Sequence, residues 1–190
     1  MREIILASTS KQRYDILKRT GIPFIVEDSG YEEDLALPLV PHELVQHLAE
    51  GKAAVVAARH PDALVIGADT IVICDGEIFG KPGTPFRAQE MLRKLSGKTH
   101  SILTGFAVTD AKTGSTVTRA VETKLSFHTL SDQQIDSYVA TGEPLGKAGA
   151  YAIQGGAARF VEKIEGDMDN VIGLPLSALL EELAKLGVTG

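Results

Sequence analysis

Short apolar runs alternate along the chain with segments of helical period, and the breaks between them carry serine, threonine, glycine and proline. REIILA (2–7) reads as a buried strand. Ser8-Thr9-Ser10 then offers N-cap hydroxyls for a helix from about Lys11 to Arg19, closed at Gly21. IPFIVE (22–27) reads as a second strand and DSGYEED (28–34) as an acidic loop. A helix is predicted from His42 to Arg59, with Leu44, Val45, Leu48, Val55 and Val56 on one face. The apolar run ALVIGA (63–68) ends on Asp69 and Thr70, and Asp75-Gly76 between apolar stretches is a two-residue hairpin signal.

Thr84-Pro85 opens another helix that stops at Gly97, with a polar cap, proline in the first turn and glycine past the end. HSILTGFAVTD and TVTRAVETKLSFHTL, joined through AKTGS, predict two long strands of an antiparallel hairpin. Ser131 followed by Gln134 fits a capping box for a helix through Val139, stopped at Gly142. A glycine-rich stretch (142–160) leads into a last strand, and PLSALLEELAKLG predicts a closing amphipathic helix. The pattern is mixed α/β, with its most unusual composition in loops.

With 190 residues and 44% apolar content, the chain can bury one sizeable core, as a single domain over 1–190 or as two packed lobes. The single cysteine, Cys74, excludes an internal disulfide and leaves too few thiols for a structural zinc site. A cytoplasmic location is the expectation. The apolar part of MREIILASTS is too short for a signal-peptide core or a membrane span, so no membrane partner is expected. A formal charge of −6 disfavours nucleic acid, whose nonspecific affinity comes from neutralising many phosphates. Phosphate chemistry would need a local basic island.

Such an island exists at the first strand-to-helix turn, where Ser8, Ser10, Lys11 and Arg13 bring hydroxyls, backbone N–H groups and two cations together. Ordinary helix capping explains the same serines. Lys52 lies four residues after Leu48 and four before Val56, in the middle of an apolar stripe. It must snorkel outward or meet an anion, because a buried unpaired ammonium is costly. The acidic loop offers Glu32, Glu33 or Asp34 as partner. Asp69 is either a turn residue or a carboxylate that a stiff strand delivers to a ligand. With Glu33 it forms a carboxylate pair from separate segments, which suits Mg²⁺. Lys81 in FGKPG and Lys147 in EPLGKAG are candidate phosphate clamps, although neither belongs to a Walker motif. Tyr151 and Gln154 are candidates for reading a base edge. The five histidines show no metal-ligand or triad spacing.

Taken together, ILASTSKQR, YEE, LAEGKA, IGADT, DGEIFGKP, LSGKTHSILTG, TGEP with KAGAYAIQG, and GLPL resemble the Maf family of nucleoside-triphosphate pyrophosphatases nearly end to end. The resemblance implies a mixed α/β fold related to the inosine-triphosphate pyrophosphatases. Its largely antiparallel central sheet would be flanked by helices, in two lobes with a cleft. It also implies hydrolysis of a nucleoside triphosphate to monophosphate and pyrophosphate with a divalent cation, Mg²⁺ or Mn²⁺. A nucleotide-binding regulator of septum formation and a noncanonical-purine pyrophosphatase are the alternatives, and the resemblance is compatible with a homodimer. Carried over by motif, Asp69 would accept the proton of the attacking water and Glu33 would assist, both as metal ligands. Ser8, Ser10, Arg13, Lys52 and Lys81 would hold the triphosphate, with Lys11 and Lys147 as further basic contacts.

Three positions divide the family by substrate. Pyrimidine-type members, which act on dTTP and UTP, resemble this chain at Thr70 and Gln154 but carry Arg where it has Gln12. None of the residues typical of the 7-methyl-GTP type is present, so dTTP and UTP are the expected substrates. Two departures stand out. Lys11-Gln12-Arg13 replaces the usual Pro-Arg-Arg, and Gly146 replaces the Asp that normally precedes Lys147.

Overall fold

A computed structural model describes residues 2–188. Among the described residues, seven strands, β1 (Ile4–Leu6), β2 (Ile25–Val26), β3 (Leu64–Cys74), β4 (Glu77–Phe79), β5 (Thr99–Asp110), β6 (Ser115–Phe127) and β7 (Val161–Glu165), pair in the order β2-β1-β3-β5-β6-β7, with β4 on β3. The chain divides into two compact units. The first comprises residues up to Asp69, Thr104–Val121 and the segment from Gly173 onward; the second comprises Thr70–Leu103 and Glu122–Ile172.

In the first unit, β1 (Ile4–Leu6) pairs in parallel with β2 (Ile25–Val26) on one side and with β3 (Leu64–Cys74) on the other, Ile5 lying opposite both Ile25 and Val65. Parallel neighbours require crossovers, which are helical here. α1 (Lys11–Lys18) joins β1 to β2, and α2 (Pro41–Ala57) joins β2 to β3. Ala49, Ala53 and Val56 of α2 pack with Ile5, Ala7, Val65 and Ala107 in a core of small and branched side chains. The expected strand over 22–27 shrinks to Ile25–Val26, both exposed, because only β1 is there to pair with it. Val55 is 39% exposed, not part of the buried face. Adjacent residues on a helix point about 100° apart, and Val56 holds the core position. The first unit also contains α6 (Leu176–Lys185) and the parts of β5 (Thr99–Asp110) and β6 (Ser115–Phe127) next to their four-residue connection. A link that short permits only antiparallel pairing. Arg2 binds both carboxylate oxygens of Asp110.

In the second unit, β3 turns into β4 (Glu77–Phe79) through Asp75 and Gly76, both at positive φ (51° and 78°), as the mirror-image hairpin turn requires. α3 (Pro85–Leu95) is capped by Thr84, whose hydroxyl accepts from the Arg87 N–H, and α4 (Asp132–Val139) carries the full Ser131–Gln134 capping box. Their apolar faces meet Phe79, Phe127 and Phe160 in an aromatic-rich core. The glycine-rich stretch folds into three 3₁₀ turns at Glu143–Gly146, Ala148–Ala150 and Gly156–Phe160. β7 (Val161–Glu165) then runs antiparallel to β6, and a short helix absent from the expected pattern, α5 (Met168–Ile172), follows. Cys74 is buried and free. Among the described residues, no helix is long and apolar enough to cross a membrane.

Candidate active site

Lys52 decides how the first unit is organised. Its residue is 6% exposed, so its stem does not carry the ammonium out to water. Instead Nζ donates to Glu33 Oε1 at 2.6 Å and to Asp69 Oδ1 at 2.5 Å, with the Ala68 carbonyl at 3.4 Å. Of the two fates open to a lysine inside an apolar stripe, the anion contact is the one realised. Two carboxylates from a loop and a strand therefore converge on one buried cation.

Glycines make this reach possible. A Cβ on Gly67 of β3 would overlap the Ala49 carbonyl oxygen of α2, and one on Gly105 of β5 would overlap the Val45 carbonyl. With no side chain at either position, α2 lies backbone-to-backbone on the two strands, and Lys52 meets the strand residue that carries its partner. The signal was in the sequence, as glycines inside apolar strand runs mark close backbone approach.

Asp69 does not end a strand. β3 continues through it to Cys74, because Ile71 and Val72 are buried and keep the chain extended. The carboxylate projects from mid-strand, which excludes the turn role. Burial pushes the Asp69 carboxyl above the ordinary carboxylate range, while the charges of Lys52 and Arg13 pull the other way. Burial likewise pulls the Arg13 guanidinium below its usual value, against Asp69 and Glu33. The Glu33 side chain is 32% exposed and that of Asp69 7%, so the pair has a wet end and a dry end.

The first strand-to-helix turn is a capped helix start that also holds a guanidinium. Ser10 Oγ caps α1 by accepting from the Arg13 N–H at 3.4 Å, and the Ser10 N–H donates to Ser8 Oγ at 3.2 Å. Arg13 also donates from Nη1 to Ser8 Oγ (3.3 Å) and from Nε to the Gly173 carbonyl (2.9 Å), which aims its guanidinium. The electrostatic influence of Asp69 on Arg13 brings this turn into the same field as Lys52. Lys11 departs from the expected island. Its side chain is 81% exposed and pairs with Asp15 one turn along α1, because its position faces away from the helix's buried side. Gln12 is half-buried and accepts from Ser10 Oγ at 3.3 Å.

The remaining candidates belong to the second unit. Thr70 follows Asp69 on β3, Lys81 is exposed after β4, Lys147 is half-buried between two 3₁₀ turns, and Gln154 is exposed on a turn. Tyr151 is not available to read a base. It is 6% exposed, its hydroxyl lies 3.0 Å from His100 Nε2, and its ring packs edge-on against Phe127 at 4.9 Å. An aromatic side chain in a glycine-rich run is here core, the glycines having let the backbone fold around it.

The mixed α/β architecture is shared with a solved HAM1 protein from Coxiella burnetii, which superposes with a TM-score of 0.51 over 97% of this chain and 100% of that one at 15% identity. Residues 3–186 match the model of the Maf-like protein family, and the chain belongs to that family. It is 47% identical over 187 residues to a dTTP/UTP pyrophosphatase of Pelotomaculum thermopropionicum, covering 98% of each chain. It is 48% identical over 188 residues to a dTTP/UTP pyrophosphatase of Moorella thermoacetica, covering 99% of this chain and 97% of the relative.

Proposed function

We propose that the protein is a metal-dependent, cytoplasmic nucleoside-triphosphate pyrophosphatase acting on dTTP and UTP. The observation that carries this reading is the buried convergence of Glu33 and Asp69 on Lys52, in the electrostatic field of Arg13. The names of the near-full-length relatives support the substrate.

Hydrolysis breaks the bond between the α- and β-phosphates. A water oxygen bonds to the α-phosphorus, pyrophosphate leaves with the bridging oxygen, and the water's proton passes to the Asp69 carboxylate. A free carboxylate, with a pKa of about 3.9, is a weak base near neutrality. The buried setting of Asp69 raises its proton affinity and so suits it to the task. Lys52 keeps Asp69 oriented, and Arg13, held at two points by Ser8 and Gly173, offers its guanidinium to phosphate oxygens. Charge stabilisation of this kind is most of what phosphoryl transfer asks of a protein.

Glu33 and Asp69 are also the residues that would hold Mg²⁺ or Mn²⁺. Their oxygens already gather around one positive charge at 2.6 and 2.5 Å, and two carboxylates completed by water and phosphate oxygens are an ordinary Mg²⁺ shell. When bound, such an ion acidifies water and neutralises phosphate charge.

A nucleotide panel with pyrophosphate detection tests the reading. Pyrophosphate should appear from dTTP and UTP, vanish on chelation and return with Mg²⁺ or Mn²⁺. Asp69→Asn should lower turnover by about a thousandfold, within the range for loss of a general base. Orthophosphate as the product, or full activity in the variant, would refute it. Saturable nucleotide binding without turnover would favour a regulatory role instead.

A further inference from the structure

Glu33 comes from a loop, and a loop carboxylate is only as well placed as the loop is held. Residues 28–31 are tied to the α2 region at two points. Arg59, just past the helix, donates to the carbonyls of Asp28 (3.2 Å) and Ser29 (3.3 Å). Eight residues earlier, the Tyr31 ring lies against the bare backbone of Gly51: a Cβ there would overlap ring carbons Cε2 and Cζ and sit 2.8 Å from the hydroxyl. Inside the loop, the Gly30 N–H donates to Asp28 Oδ1 and the Tyr31 N–H to Ser29 Oγ, which stiffens the segment leading to the ring. Gly51 immediately precedes Lys52, so one turn of α2 receives both the tyrosine ring and the Glu33 carboxylate.

Glycine in mid-helix is destabilising relative to alanine, so its presence asks for a compensating contact. Gly51 does not need glycine's dihedral freedom, since it lies inside regular α-helix and not at positive φ. What it supplies is clearance. We infer that Tyr31 and Gly51 form a latch that sets the position of Glu33 against Lys52, making both positioning residues for the carboxylate pair. The inference rests on the reading of Glu33 as a working carboxylate, and it adds that the helix surface beside Lys52 is shaped to hold the loop.

Hydrogen exchange and steady-state kinetics on Gly51→Ala, Tyr31→Ala and the double variant test this, each in the native and Glu33→Gln backgrounds. In the native background either single change should speed amide exchange across 29–34 while residues 44–49 of α2 keep their protection. kcat should fall about tenfold or more with KM altered less than about twofold, as expected when a reacting group is displaced and substrate binding is not. Once Tyr31 is alanine, Gly51→Ala should cost no more than about twofold, since the two act through one contact. In Glu33→Gln neither change should lower kcat further.

Tyr31→Ala introduces no clash, so it keeps the test decisive if Gly51→Ala fails to fold. Unchanged exchange over 29–34 in Tyr31→Ala would overturn the latch. So would an undiminished kcat loss in Glu33→Gln, which would mark a general structural effect. A wild-type protein without turnover would refute the enzymatic reading, and exchange over 29–34 would still decide the latch.

Discussion

The two units treat buried charge in opposite ways. The first encloses Lys52, Asp69, Ser8 and Ser29, each at most 9% exposed, within a core of alanine, valine, leucine and isoleucine. The second excludes charge. Phe127, Phe160, Tyr138 and Tyr151 contact one another edge-on at centroid distances of 4.9 to 6.0 Å, and His100 is the titratable imidazole packed among them. Aromatic clusters draw their stability from area and ring geometry, whereas a buried ion triad contributes little net stability and is costly when one member is lost. The aromatic centre is therefore accounted for by folding energetics, and the ionic centre is not.

The sharpest way to break this contrast is Lys52→Met, which keeps volume and deletes charge. Glu33 and Asp69 are then left facing one another, and the expected cost is about 3–5 kcal/mol of stability, as for other buried pairs that lose one partner. Turnover should fall with it, measured as pyrophosphate release per folded molecule. A variant more stable than the parent would mean that the ion triad is strained and that function alone maintains it.

Phe127→Ala in the second unit should cost a similar 3–5 kcal/mol through lost burial and cavity formation. Its kcat per folded molecule should stay within about twofold, because it packs within the aromatic-rich core and not against the ion triad. Urea unfolding alongside kinetics separates the two outcomes, and a specific collapse of kcat would erase the division of labour.

A smaller effect concerns His100. Burial pulls its imidazole from the ordinary 6.5 down to about 4. Between these values the unfolded chain holds a proton that the folded chain does not, so stability is fully present above pH 6.5 and declines as pH falls toward 4. Urea midpoints across that window should drop, and part of the drop should be missing in His100→Gln. An unaltered pH profile in the variant would show that the imidazole titrates alike in both states.

The smallest expected change is Gln12→Arg, which adds the arginine that pyrimidine-type Maf sequences carry. Gln12 is half-buried on α1 beside Ser10, so stability should move by less than about 0.5 kcal/mol, as for most surface substitutions. The preference among dTTP, UTP and other triphosphates should shift severalfold, about 1 kcal/mol, in a competition assay. No shift would place base selection elsewhere.

Local rules carried a good part of the structure. Asp75-Gly76 makes its hairpin, Ser131 and Gln134 cap their helix reciprocally, and Thr84-Pro85 opens α3, since each depends on atoms a few residues apart. Lys52 was legible as an anomaly because helical period is local too, and a lysine in an apolar stripe must have a reason. Its partners were not, since the acidic loop offered three carboxylates and only the docking of that loop selected Glu33.

The sequence by itself therefore determined most of the elements, the mixed α/β class and the residue types able to meet a triphosphate. Tertiary structure alone decided that β3 runs on through Asp69, that Lys11 turns outward to Asp15 while Arg13 turns inward, and that Tyr151 is core. It also decided that Gly51, Gly67 and Gly105 serve as clearances. The physical reason is that caps, turns and periodicity are satisfied within one or two helical turns. Burial, proton affinity and the choice among equivalent carboxylates depend on what the rest of the chain brings within a few ångströms.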